Sequence, residues 1–96
     1  MTLRQIINDL ETFPDELTIY ATRTEQWIPD GPAALVRESD AAKLGIEMKE
    51  LRYFLEVDIA REVLKVLNAR RDRIPPTQEE KIEAVVYYAS NDAYIS

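Results

Sequence analysis

The chain of 96 residues contains 18 acidic and 12 basic side chains, carries a net charge of −6 and has neither cysteine nor histidine. Its length fits a single domain. The absence of cysteine excludes disulfides, thiolate metal sites and thiol nucleophiles, and the absence of histidine removes the commonest general base. Two glycines supply no glycine-rich phosphate loop, so many enzyme and cofactor classes are excluded.

The acidic excess argues against binding to nucleic acid or to an anionic membrane, because both attract lysine and arginine. It is uneven: residues 1–50 contain five bases and ten acids (net −5), whereas residues 51–96 contain seven and eight (net −1). No apolar run approaches the roughly 20 residues of a membrane helix. Asn8 and Asp9 interrupt the N-terminus before a secretory apolar stretch of about 7–15 residues forms. We therefore expect a cytoplasmic protein.

The first predicted element is an amphipathic helix. Thr2 is a suitable N-cap, and Pro14 ends the helix because the residue before a proline avoids helical backbone angles. The apolar side chains between them recur at helical spacing: Leu3, Ile6, Ile7, Leu10 and Phe13.

Residues 17–22 alternate apolar and polar side chains, which predicts a half-buried strand. The expected core side chains are Leu17, Ile19 and Ala21, and the expected solvent-facing ones are Thr18, Tyr20 and Thr22. Two prolines flank an Asp-Gly pair and predict a loop over 27–32. Residues 33–37 then predict a second strand, paired antiparallel with the first.

Residues 38–50 lack a clear period and are predicted to form an exposed connection, with room for one helical turn from Ser39 or Asp40. The next segment shows two overlapping patterns, since residues 51–57 alternate as a strand does and apolar residues from Val57 onward recur at helical spacing. We predict a strand over 51–56 followed by a helix over 57–72. The alternative is one continuous helix over 51–72.

The last predicted helix begins after Ile74-Pro75-Pro76. Thr77 and Glu80 have the spacing of a capping box, and apolar residues continue to about Ala93. Strands grouped beside helices indicate an α+β fold, with a small antiparallel sheet of two or three strands and about three helices packed on it. We expect residues 1–96 to form one domain.

Carboxylates are the plentiful groups with catalytic potential. Asp58 and Glu62 share a face of the long helix, and three glutamates stand near the start of the last one. Paired carboxylates can bind a divalent cation or divide acid and base roles, but charged helix faces are usually solvated. The serines lack a histidine to activate them. We therefore predict a protein without catalytic residues, metal or cofactor.

A basic cluster consists of Arg70, Arg71 and Arg73. Such a cluster can hold phosphate or an acidic partner through bidentate contacts. The alternative is that these cations offset the partial negative charge of a helix C-terminus.

Aromatic side chains are the other candidate binding residues. Tyr87, Tyr88 and Tyr94 lie close together in the sequence near the C-terminus. Tyrosine is enriched at interfaces, but the favoured interpretation is ordinary packing, with one ring turned inward and the others at the edge of the surface. Trp27 lies in the proline-flanked loop, where it is either an anchor for a partner or a lid folded over the sheet edge. The lid interpretation is favoured, because a small core gains most from a large side chain.

Four segments resemble those of a group of small bacterial proteins of unknown function. They are Leu17-Thr18-Ile19-Tyr20, Trp27-Ile28-Pro29, Tyr53-Phe54-Leu55-Glu56-Val57 and Tyr87-Tyr88-Ala89-Ser90-Asn91-Asp92-Ala93. The resemblance covers most of the chain and implies a stand-alone bacterial domain, without assigning an activity to any residue.

We therefore expect a non-enzymatic protein that acts through contact with another protein or with a second copy of itself. An inhibitor or immunity-type protein, in which a small acidic domain blocks a basic enzyme, is one specific form. The alternative is a module that binds a small anion or nucleotide through Arg70, Arg71 and Arg73. Nucleic acid and membranes are not expected partners.

Overall fold

The computed structural model describes residues 1–40, 43, 45, 50–70 and 74–93. Within these ranges the helices and strands are α1 (Leu3–Asn8), β1 (Thr18–Thr22), β2 (Ala33–Val36), β3 (Leu51–Glu56), α2 (Val57–Arg70) and α3 (Gln78–Asn91). The strands form an antiparallel sheet in the order β2-β1-β3. The described residues thus confirm the predicted α+β fold, with three helices beside a three-stranded sheet.

Helix α1 begins where the sequence predicts. The Thr2 hydroxyl accepts a hydrogen bond from the Gln5 N–H at 3.2 Å, and the Thr2 N–H donates to the Gln5 side chain at 2.9 Å. This reciprocal pair satisfies two donors that a helix start otherwise leaves unpaired. The helix ends earlier than predicted, at Asn8, and a 3-10 turn over Leu10–Thr12 carries Leu10 into the core.

Strand β1 occupies the centre of the sheet, and both of its faces are buried rather than only one. Ile19 and Ala21 are fully buried on the helix side, as predicted. The expectation that Thr18 and Tyr20 face solvent is wrong, since they are only 1% and 6% exposed. A central strand has neighbours on both sides whose side chains cover its own. We call the sheet face that carries Tyr20, opposite the helices, the outer face.

Strand β3 contains a β-bulge. Ile19 pairs with Leu55 and Tyr20 pairs with Tyr53, which leaves Phe54 without a partner on β1. The extra residue breaks the alternation of faces, so Phe54 and Leu55 are both buried in the core while Tyr53 lies on the outer face. The predicted strand over 51–56 is confirmed, and the continuous helix over 51–72 is wrong.

Helices α2 and α3 complete the core. Helix α2 follows β3 without a loop, and the Val57 N–H donates to the Leu17 carbonyl at 3.0 Å. The predicted capping box of α3 is confirmed: the Thr77 hydroxyl accepts from the Glu80 N–H at 3.2 Å, and the Thr77 N–H donates to the Glu80 carboxylate at 3.0 Å. The predicted extension of the long helix beyond Arg70 lies outside the described residues.

The loop between β1 and β2 folds back over the core. Trp27 is 6% exposed, and its ring packs edge-to-face on Phe54 with 4.8 Å between the ring centroids. The Arg23 guanidinium carbon lies 5.3 Å from the centroid of the Trp27 ring. Trp27 therefore occupies the lid position, and its buried indole presents no exposed anchor to a partner.

The connection after β2 begins with a 3-10 turn over Glu38–Asp40, at the place that the sequence suggests. Most of the predicted exposed connection over 38–50 lies outside the described residues.

Candidate functional site

A pocket of about 610 Å³ opens on the outer face. The described residues that line it are Tyr20, Glu38, Glu50, Leu51, Arg52 and Tyr53, and we call it the outer-face pocket. Strand β1 supplies one tyrosine and β3 the other, while one glutamate follows β2 and the other precedes β3. Residues from three parts of the chain therefore meet at this pocket.

Two tyrosine rings form one wall of the outer-face pocket. The bulge at Phe54 sets the register that places Tyr53 opposite Tyr20. Their ring centroids lie 6.2 Å apart with an interplanar angle of 87°, an edge-to-face arrangement that aromatic pairs favour. Tyr20 is 6% exposed whereas Tyr53 is 45% exposed. The first ring therefore supports the second, which is open to solvent.

The Tyr53 hydroxyl donates a hydrogen bond to a Glu56 carboxylate oxygen at 3.0 Å. Partial burial, followed by this hydrogen bond and the negative charges of Glu56 and Glu38, raises the pKa of Tyr53 to about 12. Each of these effects opposes the phenolate, because an anion loses solvation and is repelled by carboxylates. The phenol therefore stays protonated at neutral pH.

Among the described residues around the outer-face pocket, most charges are negative. Glu38 and Glu50 line it, and Glu56 lies beside Tyr53, whereas Arg52 is the one base among its described lining residues. Within the described part of the chain, neither Glu38 nor Glu50 forms an ion pair. An aromatic wall beside unneutralised carboxylates attracts cations and repels anions.

A second pocket, of about 460 Å³, contains the carboxylate pair that the sequence singles out. Asp58 accepts a hydrogen bond from the N–H of Ile59 at 2.8 Å, and Glu62 lies 3.9 Å from Lys65. Both carboxylates are exposed on α2. No group of three or more acidic side chains among the described residues is placed to hold a metal ion.

None of the sequence-predicted binding residues that the structure describes lines the outer-face pocket. Arg70 is exposed at the end of α2. On α3, Tyr87 is 38% exposed and Tyr88 is half-buried against the core. Arg71, Arg73 and Tyr94 lie outside the described residues.

Sequence reasoning did not identify Tyr53 as a site residue. The available signal was an outward position predicted for Tyr20 together with a second tyrosine in the strand over 51–56. To place these two tyrosines side by side, one must know that β1 pairs with β3 and that the register shifts at Phe54. Both features depend on contacts between residues that are distant in the sequence.

The family model that matches this chain covers residues 1–96 and is described as Domain of unknown function (DUF7716). The chain belongs to this family, which is consistent with the resemblance to proteins of unknown function noted from its sequence. No curated protein and no solved structure matches the chain. Among the described residues, no helix is both long and apolar enough to cross a membrane.

Proposed function

We propose that this member of DUF7716 is a non-enzymatic interaction domain that binds a partner protein through the outer-face pocket. The observation that carries the proposal is Tyr53, which is 45% exposed on a sheet face and supported from behind by Tyr20. Tyrosine gives a large, rigid contact area with a polar tip, and it is enriched where proteins bind each other.

The chemistry of the pocket supports binding rather than catalysis. Its described lining contains no serine, threonine or lysine, and the chain has no cysteine or histidine. The described lining therefore offers no serine-, threonine-, cysteine- or lysine-type nucleophile and no histidine base to activate one. Two aromatic rings on the sheet, with carboxylates beside them, suit recognition of a partner.

The specific form of this proposal is an inhibitor or immunity-type protein in the bacterial cytoplasm. A net charge of −6 supports it, because an acidic surface accelerates encounter with a basic enzyme. The alternative, an anion-binding module that uses Arg70, Arg71 and Arg73, is supported by the exposure of Arg70 at the end of α2. The outer-face pocket is the better supported of the two, because its cavity and its lining are both defined.

Affinity capture from the native cell with matched tyrosine variants tests the proposal. Tyr53→Ala removes the exposed ring from the pocket, and Tyr87→Ala removes a ring of similar exposure from α3 as the control. We expect a partner that is retained by the wild type and by Tyr87→Ala but lost with Tyr53→Ala. Circular dichroism establishes that both variants are folded.

Two outcomes contradict the proposal. A partner that is lost with Tyr87→Ala and retained with Tyr53→Ala assigns the interface to α3. A partner that is retained by both variants shows that neither tyrosine contributes. Light scattering measures the molar mass of the same purified proteins. If the partner is a second copy of the chain, the wild type and Tyr87→Ala are oligomers and Tyr53→Ala is a monomer.

A further inference from the structure

We infer that the outer-face pocket receives an arginine side chain from a basic segment of the partner protein. This inference rests on the proposed function and adds the chemistry of the partner to it. It starts from three features of the pocket: an exposed aromatic ring, carboxylates that form no ion pair with another described residue, and a defined cavity.

The exposed ring favours a planar cation. A guanidinium group stacks on the face of an aromatic ring, whereas a lysine ammonium is more strongly hydrated and has no plane to stack. The same chain already uses this contact internally, because the Arg23 guanidinium lies over the Trp27 ring at 5.3 Å. Tyr53 also presents an aromatic ring, and 45% of the residue is open to solvent.

The pocket carboxylates supply negative charge that attracts an arginine guanidinium. Asp15, Asp30 and Glu79 form ion pairs with arginines of this chain, whereas Glu38 and Glu50 form none within the described residues. The charge of Glu38 acts at the Tyr53 hydroxyl, so a cation over the Tyr53 ring would also be attracted to Glu38. An arginine can contact a ring and a carboxylate together, because its guanidinium is planar and carries several donors.

The cavity has room for such a side chain. Its volume of about 610 Å³ falls within the range of about 300–1,000 Å³ that is usual for ligand pockets. Arg52, the one base in the described lining, forms no ion pair with either glutamate or with any other described residue.

Peptide titration followed by amide NMR tests the inference. The probes are blocked peptides in which glycine alternates with arginine, lysine, glutamine or glutamate. We expect the arginine peptide to shift the amide signals of Leu51, Arg52 and Tyr53. We expect the lysine peptide to bind several-fold more weakly, and the glutamine and glutamate peptides to cause no shift at these residues.

Matched variants show which pocket side chains contribute to binding of the arginine peptide. Replacing both pocket glutamates, Glu38→Gln with Glu50→Gln, should weaken binding of the arginine peptide about tenfold, because the charge complement is removed without a large change in shape. Tyr53→Leu should weaken it several-fold. Glu25→Gln, which changes an exposed loop glutamate, and Tyr87→Leu are the controls and should have no effect.

The inference is overturned if the glutamine peptide binds as well as the arginine peptide, or if the shifts fall around Asp58 and Ile59 at the second pocket. If the arginine peptide fails while Tyr53→Ala still loses a captured partner, the inference fails and the interaction proposal stands. If the peptide binds at the pocket but no partner depends on Tyr53, the proposed function fails instead.

Discussion

Tyr53 combines a solvent-exposed ring with a hydroxyl that resists ionisation. Its ring is open to solvent while its hydroxyl is held beside the Glu56 carboxylate. A phenolate in the same position would meet the negative charges of Glu56 and Glu38. The structure therefore favours a neutral ring, and a neutral ring can stack against a partner without repulsion from the neighbouring carboxylates.

The raised pKa of Tyr53 predicts a change of stability at high pH. The unfolded chain loses this proton near pH 10.0 and the folded chain near pH 12, so the folded state binds the proton more tightly between these values. The stabilising contribution is fully present below pH 10, and it is lost as the pH rises to 12. We expect the free energy of unfolding to fall over this window more steeply for the wild type than for Tyr53→Phe.

Urea denaturation at several pH values measures this difference, and spectroscopic titration of tyrosinate absorbance measures the pKa directly. Glu56→Gln should move the pKa of Tyr53 downward but only part of the way, because partial burial is the largest cause of the shift and is retained. An equal slope for wild type and Tyr53→Phe from pH 10 to 12 would contradict the assignment.

Arg61 connects two elements that are distant in sequence. From α2 its Nε donates to the Leu10 carbonyl at 3.0 Å, and its terminal nitrogens donate to the Phe13 carbonyl and to the Asp15 carboxylate. Its side chain is only 19% exposed. The guanidinium thus supplies a donor to the Phe13 carbonyl and a second donor to the Leu10 carbonyl, which also accepts from the Phe13 N–H at 3.3 Å.

This arrangement predicts that Arg61→Met costs about 2 kcal/mol in the free energy of unfolding, because it retains the aliphatic packing but removes the Arg61 donors from the half-buried Phe13 and Leu10 carbonyls. Urea denaturation measures the loss. Arg4→Met is the matched control, since Arg4 pairs with the exposed carboxylates of Asp30 and Glu79. We expect a smaller loss for Arg4 that disappears in high salt. Equal losses, or a loss for Arg61 that salt abolishes, would contradict this ranking.

The sequence predicts elements well where their signals are local. The capping box of α3 needs only Thr77 and Glu80 three positions apart, and the apolar face of α2 needs only its own periodicity. The bulge at Phe54, the burial of Tyr20 and the contacts of Arg61 depend instead on residues far away in the chain. No local pattern encodes which strands become neighbours, and the outer-face pocket was missed for this reason.

At the scale of the whole molecule, every helix and strand contributes to one buried cluster. Its members come from α1, the sheet, α2 and α3, and Trp27 joins them from the loop between β1 and β2. A smaller cluster of Tyr20 and Leu51 lies on the outer face, but the strands that carry it also belong to the main cluster. Local loss of packing should therefore spread to the other described elements. The sequence prediction of a single domain over residues 1–96 leads to the same expectation.

A shared core predicts cooperative unfolding. Trp27 is the one tryptophan of the chain and is 6% exposed against Phe54, so its fluorescence reports the core, whereas far-UV circular dichroism reports the helices and sheet. For a two-state domain the two signals change together, and we expect coincident urea midpoints with a free energy of unfolding of roughly 5–15 kcal/mol. Phe54→Leu should lower both midpoints equally, because it removes the ring packed on Trp27. A fluorescence transition that precedes the circular dichroism transition would show instead that the loop carrying Trp27 opens independently of the core.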